Sequence, residues 1–186
     1  MKKKGMVICL TILVTLILIT SIYMDKQKFY KQLVIHEGIK DKVYYDTTGN
    51  RTIGVGFNLE RDNADQILRR VGANFQDVIN GRYSLSNSQI KLLAEMELET
   101  IEEDARKAVD NYDSLKDVRQ RVICDMIYNL GLHGFKKFKS TIGYIENKDW
   151  DNVADNMLKS KWARQVKGRA KVLASMMRNG VDTYDL

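Results

Sequence analysis

An unbroken uncharged run, Gly5–Met24, follows Lys2, Lys3 and Lys4. A helix of about 20 residues spans about 30 Å, the thickness of a bilayer's hydrocarbon core. A helix on the surface of a globular domain would carry a polar stripe, and this run has none. It therefore reads as a single-pass transmembrane segment, residues 1–24, ahead of one domain, residues 25–186. Gly5, Thr11, Thr15, Thr20 and Ser21 dilute the Leu and Ile, so the span is weak. A cleaved export signal would start the same way. Its apolar region is usually shorter and ends at an A-x-A-like site, for which Ile19-x-Ser21 is a poor substitute. The three lysines outweigh the charges just beyond Met24, which points the N-terminus to the cytoplasm.

The rest of the chain is globular in composition. With 44% apolar and 29% charged residues it is not a disordered protein. Proline is absent from all 186 residues, which favours helix. Cys9 and Cys124 cannot build a disulfide scaffold and match no zinc spacing. They read as two small apolar residues, with pairing in an oxidising compartment as the alternative. The net charge of +6 is uneven. Three lysines lie in the N-terminal segment, and from Asn129 onward eleven basic residues face six acidic ones. A basic region of this kind attracts an acidic polymer, anionic lipid or nucleic acid, or is simply solvated surface.

Local pattern predicts a helix over Lys26–Glu37 with Phe29, Leu33 and Ile35 on its apolar side. Val43–Phe57 reads as strand, turn cluster (Asp46-Thr47-Thr48-Gly49-Asn50) and strand, hence a hairpin. Asp62–Val71 reads as helix. From Ser86 the chain is helical almost throughout. Ser86-x-x-Gln89 is a capping box, Ser114-x-x-Asp117 opens a second long helix, and Gly131 ends it. That helix is apolar on more than one face and should be buried. Further helices follow over Thr141–Glu146, Asp149–Ser160 and Val166–Asn179, with Gly180 as a stop. The expected fold class is α+β, mostly helical: a small β-hairpin lobe, a larger helical lobe, and a ligand cleft where lobes meet.

Glu37, Asp46 and Thr52 carry the chemistry. Glu37 ends the first helix, Asp46 heads the turn and Thr52 lies on the returning strand. Two carboxylates in different surroundings suit glycoside hydrolysis, one as proton donor and one kept ionised. Apolar Val34 and Ile35 beside Glu37 suit the neutral acid, turn amides around Asp46 suit its charge, and a Thr hydroxyl can hold water. Taken singly the three are also ordinary: a helix end, a turn former and a β-branched strand residue.

The run Glu37-Gly38-Ile39-x-x-x-Val43-Tyr44-x-Asp46-Thr47-x-Gly49-x-x-Thr52-Ile53-Gly54-Val55-Gly56 resembles the active-site signature of the phage-type lysozymes, glycoside hydrolase family 24. A second block, Asp113-Ser114-Leu115-x-x-Val118-Arg119 through Met126-Ile127-Tyr128-Asn129-Leu130-Gly131, is similar too. A third comprises Trp150-Asp151, Asn156, Lys159-Ser160-Lys161-Trp162 and Arg169-Ala170-Lys171. The blocks stand in family order. The resemblance implies a lysozyme-like two-lobe fold and cleavage of the β-1,4 bond between N-acetylmuramic acid and N-acetylglucosamine in peptidoglycan. By resemblance Glu37 is the general acid, Asp46 the second carboxylate and Thr52 the water-orienting hydroxyl. Asn58, Tyr128, Asn129, Thr141 and Asn156 match substrate contacts, and Arg169 matches a basic residue that pairs with the catalytic Glu. Phe57 departs from the family's best-known member, which has a His there, and Tyr128 replaces a Phe.

With this enzyme, the N-terminal segment is similar to that of signal-anchor-release endolysins. The resemblance implies export by the host Sec machinery, tethering at the inner membrane through residues 1–24, and release to the periplasm. It also implies a holin-type protein as indirect trigger, through loss of membrane potential. The other expectations are a monomer after release, no cofactor, no metal and no nucleic-acid partner. Two readings of other kinds stay open: an anchored, non-catalytic wall-binding protein, and a lytic transglycosylase, which needs no water-positioning Asp and Thr.

Overall fold

A computed structural model describes residues 24–46 and 48–184; the expected membrane segment, apart from Met24, lies outside them. Among the described residues no helix is long and apolar enough to cross a membrane. The chain divides into two compact units.

The first unit, residues 26–102, opens with α1 (Lys26–Glu37) and a three-stranded antiparallel sheet in sequential order. Its strands are β1 (Lys40–Tyr45), β2 (Arg51–Gly54) and β3 (Phe57–Asn58). The predicted hairpin is there, with one extra short strand. Two helices follow, α2 (Ala64–Arg70) and α3 (Phe75–Ile79). The second has no counterpart in the sequence reading, being too short for a periodic signal. α4 (Asn87–Ala108) starts where the capping box predicts. Ser86 N–H donates to Gln89 Oε1 at 2.9 Å and Gln89 N–H donates to Ser86 Oγ at 3.3 Å. Phe29, Leu33, Ile53, Phe57, Leu59, Leu68, Ile90, Leu93 and Leu98 form the core of this unit. Ile35, expected on the apolar side of α1, is 56% exposed, and buried Gln32 takes the inward place. Positions 29, 32 and 33 make the i, i+3, i+4 face, and 35 falls off it.

The second unit, of which residues 24–25 and 103–184 are described, is helical. A 3₁₀ turn over Tyr112–Ser114 precedes α5 (Asp117–Phe135). Ser114 does not cap α5, contrary to expectation; its hydroxyl donates to Asn111 O at 2.8 Å, and Lys116 holds the cap position. Gly131 ends the regular helix as expected, at φ +67°, though a further turn runs on to Phe135. The remaining helices are α6 (Lys139–Glu146), α7 (Trp150–Lys159), α8 (Lys161–Val166) and α9 (Gly168–Asn179). The last two correct the sequence reading. A separate helix lies over Lys161–Val166, capped by the Ser160 hydroxyl accepting from Ala163 N–H at 3.0 Å. The break behind it falls on Lys167 at φ +47°.

α5 is the buried centre of this unit. Val122, Ile123, Met126 and Ile127 are inaccessible or nearly so, as are Leu173, Met176 and Met177 of α9. Its polar residues are buried with it, each tied to a partner. Arg121, fully buried, bonds Asp117 at 3.0 Å and Asp182 at 2.5 Å. Arg119 donates to the carbonyls of Met177 (2.9 Å) and Arg178 (3.2 Å) and stacks over Trp150 at 3.9 Å. These bonds satisfy carbonyls at the end of α9. Gly180, at φ +62°, closes that helix, and a Cβ there would stand 3.0 Å from the Arg119 guanidinium. Gly180→Ala combines left-handed strain with this clash, and thermal melting should register a loss of about 2 kcal/mol.

Candidate active site

Glu37 is the last residue of α1 and half-buried. Gly38 at φ +72° turns the chain out of the helix, its N–H donating to Val34 O at 2.9 Å. An L side chain is strained in that conformation, which accounts for glycine directly after the carboxylate. β1 then leads to Asp46. One of its oxygens accepts from Thr48 N–H (2.8 Å), the Thr48 hydroxyl (2.8 Å) and Asn50 N–H (2.9 Å). The other accepts from Asn50 Nδ2 at 3.4 Å. An Asp at the head of a turn folds back onto its own backbone in this way. The donors, Asn50 N–H foremost and the Thr48 hydroxyl next, hold the Asp46 carboxyl below the usual carboxylate range. Asp46 is thereby kept as an anion.

Sheet register sets the remaining side chains. Tyr44 pairs directly with Thr52, and Thr52 with Asn58. Directly opposed residues share a face, so Tyr44, Thr52 and Asn58 form one row across three strands. Thr52 is buried, and its hydroxyl donates to Asn50 O at 3.2 Å, leaving oxygen lone pairs to accept from a water. Asn58 Oδ1 accepts from Glu60 N–H at 2.7 Å.

Sequence reasoning did not assign Tyr44 a role. Burial raises its phenol above the ordinary value, and the charges of Glu37 and then Asp46 raise it further. The signal was available: Tyr44 precedes Asp46 by two, the strand repeat. Phe57, in the place of the histidine of the best-known family member, is buried with the Arg61 guanidinium 5.3 Å from its ring centroid. Arg61 in turn grips Glu97 through both carboxylate oxygens, at 2.7 and 2.6 Å.

The other candidates lie in the second unit. Thr141 in the first turn of α6 is buried, and Asn156 on α7 is half-buried. Both line a cavity of about 580 Å³ together with Trp162. Exposed Asn129 joins this wall through its Oδ1, which accepts from Trp162 Nε1 at 2.9 Å. Tyr128 is half-buried, one residue earlier on α5, and is not among the residues lining the cavity. Arg169 on α9 donates to fully buried Asp125 at 2.8 Å.

The family model described as Phage lysozyme matches residues 34–179. The chain belongs to the phage lysozyme family. Probable T4-type lysozyme 1 of Dictyostelium discoideum is 27% identical over 157 residues, covering 77% of this chain and 89% of the relative. Probable T4-type lysozyme 2 of the same organism is 28% identical over 153 residues, with the same coverage. The pre-baseplate central spike protein Gp5 of Enterobacteria phage T4 is 27% identical over 159 residues, which make up 27% of its length. As a member of this family the chain is a lysozyme-like cell-wall hydrolase with peptidoglycan as its substrate.

In this phage lysozyme the donors of its turn keep Asp46 anionic to lower pH than an ordinary carboxyl. Thr48→Val removes one of them and raises the Asp46 carboxyl. Protonation of Asp46 then sets in at higher pH, so the acid limb of the activity profile moves upward. A pH–rate profile of the variant beside wild type measures the shift.

Proposed function

We propose that this phage lysozyme is an N-acetylmuramidase that hydrolyses the β-1,4 bond between N-acetylmuramic acid and N-acetylglucosamine. Glu37 protonates the leaving glycosidic oxygen. Asp46, held ionised by its turn, activates the attacking water or stabilises the oxocarbenium-like state, and Thr52 accepts a hydrogen bond from that water. The donor set around Asp46 is the observation that carries this reading. The turn directs two amides, a hydroxyl and an amide side chain at this carboxylate, which favours its ionised form. Asn58, Tyr128, Asn129, Thr141 and Asn156 contact the glycan, and Arg169 supports Glu37. Resemblance favours inversion, for which carboxyl groups stand about 6.5–9.5 Å apart.

Mass spectrometry of the released muropeptides tests the reaction. Hydrolysis leaves reducing muramic acid ends. Anhydro-sugar ends would instead identify a lytic transglycosylase.

We further propose that residues 1–24 hold the enzyme at the host inner membrane, N-terminus in the cytoplasm, after Sec export, until depolarisation by a holin-type protein releases it to the periplasm. The diluted apolar run Gly5–Met24 supports this reading, because release requires a segment polar enough to leave the bilayer. Replacing Gly5, Thr11 and Thr15 with Leu should keep the activity in the membrane fraction after treatment with an uncoupler. Normal lysis timing by that variant would refute release.

A further inference from the structure

Tyr44 lies directly opposite Thr52 across the β1–β2 ladder, so the two side chains leave the sheet on the same face. The ladder runs one step past the strands, with Asp46 N–H donating to Asn50 O at 2.9 Å. Strand alternation therefore reaches Asp46 and returns it to the face of Tyr44, two residues earlier. Tyr45, between them, is on the other face and 73% exposed. Tyr44, Asp46 and Thr52 thus mark out a triangle on one face of the hairpin. Asn58, across β2 from Tyr44, stands outside it.

The three corners differ in what they can offer a water. Thr52 uses its only hydroxyl proton on Asn50 O at 3.2 Å, so towards a water it can only accept. One Asp46 oxygen already accepts from three donors, and the other accepts from Asn50 Nδ2 at 3.4 Å. That second oxygen, on an anion, can likewise only accept. A water held by Thr52 and Asp46 has both protons engaged and two lone pairs left, one more than attack requires. The half-buried Tyr44 hydroxyl makes no hydrogen bond among the described residues. Burial, then the charges of Glu37 and Asp46, keep this phenol protonated. It is the donor that the other two corners lack.

We propose that Tyr44 is the third member of the water site, its hydroxyl donating to the attacking water so that the one remaining lone pair faces the anomeric carbon. The proposal rests on the hydrolase reading and adds a residue to Glu37, Asp46 and Thr52. In the step, that lone pair forms the new bond to the anomeric carbon as the glycosidic C–O bond breaks. Glu37 protonates the leaving oxygen, one water proton passes to Asp46, and Tyr44 keeps its own. A donor on the water makes it a slightly weaker nucleophile. In an oxocarbenium-like transition state little of the new bond has formed, so orientation outweighs that loss. The phenol also selects for water. An alcohol that gives its one proton to Asp46 must point its alkyl group at Thr52 or Tyr44, and both corners are filled.

Tyr44→Phe keeps the ring and removes the donor. In the full-length chain acting on soluble, uncross-linked glycan strands, kcat should fall about ten-fold, the worth of one hydrogen bond. KM and the melting temperature should stay at the wild-type values. In aqueous methanol the share of methyl glycoside among the products should rise, because the emptied corner admits the methyl group. Tyr45→Phe removes a phenol from the opposite face and should change neither kcat nor that share. An unchanged kcat in Tyr44→Phe would overturn the proposal. So would a lower kcat with the wild-type share of methanolysis, which would make Tyr44 a structural support of the strand. The products of the wild-type chain keep the two readings apart. Anhydro-sugar ends would remove the attacking water and the hydrolase reading together, whereas reducing ends with an unaffected Tyr44→Phe would sink the role of Tyr44 alone.

Discussion

Glu37→Gln is expected to lower the rate of wall hydrolysis by about two to four orders of magnitude, the usual contribution of a positioned general acid. Glutamine keeps the shape of the side chain at the end of α1 but has no acidic proton to deliver to the leaving oxygen. Glu37 lies at a helix terminus and is half-buried, so the neutral substitution should leave the fold unchanged. Turbidity loss of outer-membrane-permeabilised cells reads the rate, and thermal melting checks the fold. Equal lysis by variant and wild type, at equal melting temperature, would remove Glu37 from the chemistry. It would then favour an anchored wall-binding protein on this scaffold.

The second large effect concerns stability. Asp125 is fully buried on α5 and meets Arg169, itself only 11% exposed, at 2.8 Å. Removing one partner of such a pair strands the other charge in a poorly solvated place. Asp125→Ala should therefore cost about 3–5 kcal/mol, and a melting temperature lower by roughly 10 °C would register it. Replacing both partners with apolar residues, Asp125→Leu with Arg169→Met, should recover much of the loss, since an apolar pair strands no charge. A double variant as unstable as Asp125→Ala would point to packing and away from electrostatics. Burial and the Asp125 charge also raise the Tyr184 phenol, so the pair is felt as far as the C-terminal tail.

The comparison between pattern and structure divides by the range of the interaction. Lys26–Glu37 was legible to the residue, because an apolar repeat and a following Gly are both local signals. The Ser86 capping box, the Gly180 stop and the hairpin around Asp46 were legible for the same reason. Ile35 misled because apolar character was read without its place on the helical wheel. Ser114 misled because a hydroxyl three residues before an Asp has two local uses, and here it bonds backward to Asn111. The break before α9 gave no warning, since a lysine occupies the left-handed position that usually marks itself with glycine. Arg121 and Asp125 could not be read at all as partners in a core. Their counterparts, Asp182 and Arg169, lie tens of residues away, and sequence pattern carries no record of such pairing. For the candidate site, spacing nominated Glu37, Asp46 and Thr52, while the cavity lined by Thr141 and Asn156 is built from four helices and needed coordinates.

Asp117 accepts from Asp25 N–H at 2.7 Å and also bonds Arg121, which holds Asp182. Met24 is buried nearby in the same unit, its sulfur accepting from the Tyr112 hydroxyl at 3.7 Å. Beginning and end of the described chain are thus fastened to successive turns of one helix. Loosely held segments are where unfolding usually starts, and α5 ties Asp25 and Asp182 down through Asp117 and Arg121. Exchange of the Asp25 amide with solvent should be slow, and Asp117→Ala should speed it.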